Sequence, residues 1–310
     1  MPHGILIALF VLISTAGSVF ADADPPPIRF GFFPKHGEDV VYRIELAQES
    51  TFRIQTLRHR WTHELVINIS GTKPPDCVIG HFIIRNVVNG ENAAGDPYYA
   101  IARAIEGERF ALTMLSYGVP VEVDWPAIRR RVESNLDKSE PGLAASMPQI
   151  LSMFPPDGVE AVMRALWVTS IPHLRTFARD GSKTTVTGLD LPAYYPVKGG
   201  TVLETFGGAV EGTQDLMFVW KLTSDPKMAA QALAPHLRGI ANAVTPPGEQ
   251  MQARRLVDDA IRAGIDVVEA GVAEFDLTPG LIRRTSFQTR LTAGLFKRET
   301  TILITRLAPE

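Results

Sequence analysis

The sequence predicts an α+β fold: a curved antiparallel sheet, an open or half barrel, with helices packed on one side as a cover. Three patterns predict it. The first third alternates apolar and polar residues with period two. Helical stripes are confined to two separate runs in the middle. Strand character returns at the C-terminal end, so strands and helices are segregated rather than alternating, which argues against a parallel α/β wrap.

Alternation is what a sheet with one apolar face requires, because successive side chains leave a strand on opposite sides. Tyr42, Ile44 and Leu46 point one way, Arg43 and Glu45 the other. Trp61, His63, Leu65, Ile67 and Ile69 share a face, with Thr62, Glu64, Asn68 and Ser70 opposite and Val66 as the apolar exception. A strand follows over 78–88 with Gly80, Phe82 and Ile84 on one side, and Asn89-Gly90 is expected as the next turn. Segments 110–115 and 119–123 form a hairpin around Ser116-Tyr117-Gly118.

After Asp124 the period changes. Ile128, Val132 and Leu136 are spaced by four and predict a helix over 125–138. Further helices are expected over 143–154 and 159–167, separated by Pro155-Pro156-Asp157, so 126–180 is a helical insert. Strands are expected at 184–188, 201–206 and 216–223, the last with Phe218, Trp220 and Leu222 on one face. Asp225-Pro226 opens a helix: the carboxylate can cap free amides, and proline fits a first turn where its missing N–H has no partner to lose. Pro235 is expected to break or kink that helix, and a second helix covers 249–263. Segments 267–277, 282–291 and 300–307 read as a closing meander, turning at Thr278-Pro279-Gly280 and Ala293-Gly294.

The first 23 residues are expected to be a secretory signal peptide. An uncharged run from Ile5 to Phe20 ends in Ala21-Asp22-Ala23, with small residues at the −3 and −1 positions for cleavage after Ala23. The run is shorter than the ~20 apolar residues of a spanning helix, which leaves an uncleaved membrane anchor as the second reading. Residues 24–310 are then a single β-rich domain with its insert, periplasmic or secreted. The net charge is −3, which excludes an electrostatic footprint for nucleic acid. Arg129-Arg130-Arg131, the one basic run, reads as a solvated helix face. The lone cysteine, Cys77, cannot form an internal disulfide.

No catalytic constellation emerges. His59 and His63 lie on a strand, where four residues separate them by about 13 Å, too far for one metal. His63-Glu64 would begin a zinc-protease motif, but Ile67 stands where the second histidine is required. His36, His81, His173 and His236 lack acidic partners at ligand spacing. G-x-S-x-G is absent. Gly199-Gly200 and Gly207-Gly208 lack phosphate-loop spacing and are expected as hairpin turns. Asp258-Asp259 face different ways on a helix, and Asp190 has no acidic neighbour. No metal and no cofactor is expected. What remains is the apolar content of the strands: Trp61, Phe82, Phe218 and Trp220 either pack an ordinary core or line an apolar ligand cavity.

Two stretches echo one another. Phe110 to Glu122 turns at Ser116-Tyr117-Gly118, and Gly271 to Arg283 turns at Thr278-Pro279-Gly280. Any meander can produce such an echo. This arrangement resembles a broad group of bacterial exported β-rich proteins of uncharacterised role. It is similar in outline to periplasmic lipoprotein-carrier and lipid-binding half-barrels, which fold an open antiparallel sheet around an apolar cavity with helices as a lid. The resemblance implies a non-enzymatic carrier for a lipid or lipidated protein. It lies in export, strand order and turn style and carries over no functional residue. Two other readings stay open: an envelope hydrolase with dispersed catalytic residues, and an interaction module of an envelope complex whose helical insert presents an apolar stripe to a protein partner.

Overall fold

A computed structural model describes residues 28–29, 36–52, 54–73, 77–93, 96–115, 120–139, 176–177, 183–189, 197–209, 215–242, 247–276 and 281–308. The segment expected to be a signal peptide, the helices expected at 143–154 and 159–167, the turns expected at 116–118 and 278–280, His173 and Asp190 lie outside these residues.

The described elements are β1 (Ile28–Arg29), β2 (Asp39–Phe52), β3 (Gln55–Lys73), β4 (Cys77–Glu91), α1 (Pro97–Ala104), β5 (Arg109–Leu115), β6 (Pro120–Val123), α2 (Trp125–Ser139), β7 (Thr176–Phe177), β8 (Thr184–Leu189), β9 (Thr201–Ala209), β10 (Asp215–Ser224), α3 (Pro226–Asn242), α4 (Pro247–Ala263), β11 (Asp266–Asp276), β12 (Leu281–Ala293) and β13 (Phe296–Arg306). β1 and β7 form a small separate pair. The others form one eleven-stranded sheet in the order β6-β5-β4-β3-β2-β13-β12-β11-β10-β9-β8. Every neighbouring pair is antiparallel. The edge strands β6 and β8 do not pair with each other, so the sheet is not closed into a barrel.

The order contains a repeat. β6-β5-β4-β3-β2 and β12-β11-β10-β9-β8 are two five-stranded runs in the same order and sense, with β13 between them. In both, the crossing from the third strand to the fourth carries the helices: α1 between β4 and β5, and α3 with α4 between β10 and β11. Both crossings open on Asp-Pro. Asp96 Oδ1 accepts the Tyr98 amide at 2.8 Å, and Asp225 Oδ1 accepts those of Lys227 and Met228 at 2.9 Å. Four residues on, Ala100 and Ala229 are both fully buried. Both crossings end on a glycine at positive φ two residues before the fourth strand, Gly107 (φ 79°) and Gly264 (φ 93°). The echoing stretches therefore fall on equivalent strands, β5–β6 and β11–β12.

Three expectations need correction. The strand at 78–88 continues to Glu91, so Asn89-Gly90 is not a turn. Asn89 opposes Trp61 beside a bulge, and a Cβ on Gly90 would come within 2.9 Å of the Arg60 carbonyl oxygen. Gly207-Gly208 lie inside β9, where Gly207 opposes the bulky Phe218. Gly199-Gly200, by contrast, do end the connection between the antiparallel neighbours β8 and β9, with Gly199 at positive φ (64°) and Gly200 pressed against Met228. α3 does not end at Pro235, because buried Leu233 and Ala234 before it and Ala241 after it keep the helix packed along its length. α1, with its Asp-Pro cap, was not anticipated.

One face of the sheet is mostly apolar. Val40, Tyr42, Ile44 and Leu46 of β2 are at most 7% exposed, and Ile302 and Ile304 of β13 at most 3%. Tyr98, Tyr99, Ala100, Ile101, Ala102 and Ala104 of α1, Ile128 and Val132 of α2, Ala229, Ala230 and Leu233 of α3 and Ala260 of α4 bury their side chains in the same cluster. The opposite face carries ion pairs: Glu64 accepts from Arg85 Nε and Asn86 Nδ2 at 2.9 Å and faces Arg43 at 3.7 Å.

Ile302 and Ile304 pair with Leu46 and Ile44 where the two halves meet. Ile302→Ala should lower stability by about 2–5 kcal/mol, as for other buried large-to-small changes, whereas Thr301→Ala, on the other face, should stay within about 0.5 kcal/mol; urea midpoints measure both. Burial holds the Tyr42 phenol well above its ordinary range, partly offset by the Arg306 guanidinium. The unfolded chain thus releases this proton near pH 10 and the folded chain only higher, so stability falls as pH rises past about 10. Tyr42→Phe should make the alkaline limb of a stability–pH curve less steep and leave the neutral region's slope unchanged.

Candidate functional site

The strand register turns the apolar face into transverse levels, each two residues, about 6.8 Å, from the next. One level runs Trp61, Leu46, Ile302, Phe287, Gly271, Trp220 and Thr205 across β3, β2, β13, β12, β11, β10 and β9. Trp61 and Trp220, from different halves of the chain, therefore end this belt on opposite sides. They lie five strand spacings apart, about 24 Å along the sheet.

Each tryptophan is fixed by a buried carboxylate. Trp61 Nε1 donates to Asp96 Oδ2 at 3.1 Å, and Asp96 is the residue that caps α1. The same indole meets Tyr99 edge-on at 5.9 Å and stacks on the His63 ring at 4.9 Å. Trp220 Nε1 donates to Glu269 Oε1 at 3.1 Å. A buried indole N–H without a partner would cost its desolvation, and a charged acceptor makes the stronger bond. The Trp220 ring lies over Gly271 and approaches Phe287 at 6.3 Å. A Cβ on Gly271 would overlap that ring and stand 2.6 Å from Phe287 Cβ.

Of the four residues expected to line a cavity, all lie on this face and are at most 3% exposed. They fall into two groups. Phe218 joins Trp220, with ring centroids 6.4 Å apart, and stacks on Phe275 at 5.0 Å. Phe82 meets Phe110 at 5.5 Å, two strands from the centre, while Trp61 is drawn to α1. Phe287, Phe275, Phe110 and Tyr99 belong to the same surface and were not singled out from sequence. The period-two pattern contained Phe287, Phe275 and Phe110.

The next level is different. His59, Gln48, Thr300, Thr289 and Glu269 follow one another across β3, β2, β13, β12 and β11. Five adjacent strands thus place a hydrogen-bonding side chain at one height on an otherwise apolar face. His59 Nδ1 donates to the Asn92 carbonyl at 2.6 Å, and Thr289 Oγ1 donates to Glu269 Oε2 at 3.4 Å. His59 and Glu269, at the two ends, are buried, while Gln48, Thr300 and Thr289 are half-buried. One level further on, Ser50 and Arg298 pair across β2 and β13, also half-buried.

Other expected features sit elsewhere. Cys77 begins β4, half-buried and free. Arg129, Arg130 and Arg131 are exposed on α2, with Arg129 paired to Glu133 at 3.0 Å and Arg131 to Glu108. Asp258 and Asp259 pair separately with Arg238 and Arg262. The α2 stripe at Ile128 and Val132 is buried against the fold, not presented outward. The exposed apolar side chains Ile54, Leu57 and Leu295 stand at two adjacent hairpin ends, β2–β3 and β12–β13. Among the described residues no three histidine, cysteine or acidic side chains gather as a metal site, and no helix is long and apolar enough to cross a membrane.

No protein-family model matches the chain, and no curated protein matches it. Among solved structures, one of lipovitellin concerned with lipid–protein interactions aligns with 88% of the chain at 7% identity and a TM-score of 0.42. The chain spans 25% of that lipovitellin chain. DynF from the dynemicin biosynthesis pathway of Micromonospora chersina aligns over 95% of this chain and 92% of its own at 6% identity, TM-score 0.20. Ail, the attachment invasion locus protein of Yersinia pestis, aligns over 87% and 98% at 6% identity, TM-score 0.15. Scores this low are likenesses in outline and carry no functional argument.

Gly271→Ala should displace the Trp220 ring and cost about 1–3 kcal/mol, the usual range for overpacking. Near-ultraviolet circular dichroism should change with it, and a variant that keeps both spectrum and urea midpoint would contradict this account of the belt.

Proposed function

We propose that this chain is a non-enzymatic binding or carrier body for an apolar ligand, a lipid or the lipid-modified end of a protein. In this reading it acts in the periplasm or outside the cell once its leader has been removed. The observation that carries it is the continuous apolar face of an eleven-stranded sheet whose edges do not close on each other. A closed small barrel fills its own interior with side chains, whereas an open, bent sheet needs something to cover its apolar side.

Three register shifts in the β3–β4 pairing support bending at that side, since each bulge adds local twist and kink. The helices bury their apolar residues in the same cluster as this face, which supports their role as a cover over a half barrel. The aromatic belt supplies large, rigid apolar area, and the few polar groups near it give the composition typical of ligand pockets. The outline agrees with the carrier half-barrels that the sequence resembles.

The protein purified from the cells that make it, without detergent, should release lipid on organic extraction, detected by mass spectrometry at close to one equivalent. Protein that carries no lipid, and takes up none from mixed micelles, would remove the basis of this reading.

A further inference from the structure

In the polar level His59, Thr289 and Glu269 are engaged by the Asn92 carbonyl, by each other and by the Trp220 indole, while Gln48 and Thr300 stand half-buried between them. Leu46 and Ile302 one level below are at most 5% exposed, whereas Gln48 and Thr300 on the same strands are half-buried, as are Ser50 and Arg298 beyond them. Along β2 exposure rises only toward the end of the sheet that holds the polar side chains; on β13 Ile304 is buried and Arg306, opposite Tyr42 at the far end, is half-buried and paired with Asp276 at 3.0 Å. On β12 the same step takes Phe287, at 6%, to half-buried Thr289. In the other direction the face is buried and mostly apolar through Ile44, Ile304 and Phe218, a level that also holds buried His63 and Thr285, then Leu65 and Ile84, then Ile67, Phe82 and Phe110.

Such a surface has a polarity. Hydrogen-bonding groups stand at its more open end, and the aromatic belt and aliphatic levels lie behind them. Hydrogen-bonding side chains set into an apolar wall fix the orientation of what binds there, because a polar group left facing hydrocarbon loses its hydration without return.

We infer that the ligand is an amphiphile held in one orientation, with its polar head against Gln48, Thr300 and Thr289 and its acyl chain running past the Trp61–Trp220 belt onto the aliphatic levels. The inference rests on the apolar-ligand reading and narrows it to molecules with a hydrogen-bonding head. Arg298, beside the band, suits a head that carries a phosphate.

Phosphatidylcholine bearing a nitroxide on carbon 5 or carbon 16 of one acyl chain tests the orientation. The protein is loaded from mixed micelles and re-isolated, so that only bound lipid remains, and its tryptophan emission is read with Trp125 and Trp167 replaced by phenylalanine. The belt lies one level, about 6.8 Å, from the band, so the carbon-5 label should quench several-fold more strongly than the carbon-16 label. Stronger quenching by carbon 16, or equal quenching, overturns the orientation. A second measurement leaves the tryptophans untouched. In Gln48→Leu/Thr289→Val/Thr300→Val, retention of phosphatidylcholine should fall about tenfold, while retention of hexadecane, which has no head, should hold or rise. An equal change for both probes overturns the inference. Failure of the wild-type protein to retain either probe instead sinks the apolar-ligand reading beneath it.

Discussion

The pairing of β2 with β13 holds the architecture together. It joins strands at opposite ends of the described chain over eleven residue pairs, Tyr42–Arg306 through Phe52–Phe296. Without it the remaining pairings give two separate sheets, each with a raw edge at β2 or β13. With it, Leu46 and Ile302 complete the belt that carries Trp61 on one side and Trp220 on the other. The band of hydrogen-bonding side chains likewise exists only because Gln48 and Thr300 meet across this seam.

Polar groups on the apolar face are handled in two ways. Asp96 and Glu269 are buried and work for the fold: each takes an indole N–H, and Asp96 also caps the helix that covers Trp61. Burying a carboxylate is costly unless its oxygens are occupied, and here tryptophan, a backbone amide and Thr289 occupy them. Gln48, Thr289 and Thr300 are half-buried and remain partly open to solvent. The two halves solve the burial of a tryptophan with the same chemistry, though the acids come from different places, a helix cap in one and a strand in the other.

Much of the sheet was legible from period two alone. The face shared by Trp61, His63, Leu65, Ile67 and Ile69, and that shared by Phe218, Trp220 and Leu222, both stand as read, because alternation reports directly which side meets the core. Val66, the apparent exception, is 3% exposed beside the Glu64 ion-pair cluster on the second face. Glycine misled where strands approach closely: Gly90 and Gly207 look like turn residues but serve contact with a neighbouring backbone or ring. α1 escaped notice because eight residues give too little period to recognise, although its Asp-Pro opening matches the one at Asp225-Pro226. The belt and the band could not be read at all. A level across the sheet is a property of register between strands far apart in sequence, and no local pattern encodes it.

The seam also sets a schedule. About 240 residues separate the end of β2 from the start of β13, so at ordinary rates of synthesis some 12–50 s pass before β2 can meet its partner. Through that interval Ile44 and Leu46 sit on a strand that can pair with β3 but whose other edge is open. Such long-range closure is slow and leaves sticky edges waiting. A chain arranged this way gains from being kept extended until it is complete. Passage through a membrane before folding would do that, and would deliver both halves together to the compartment where the seam can close.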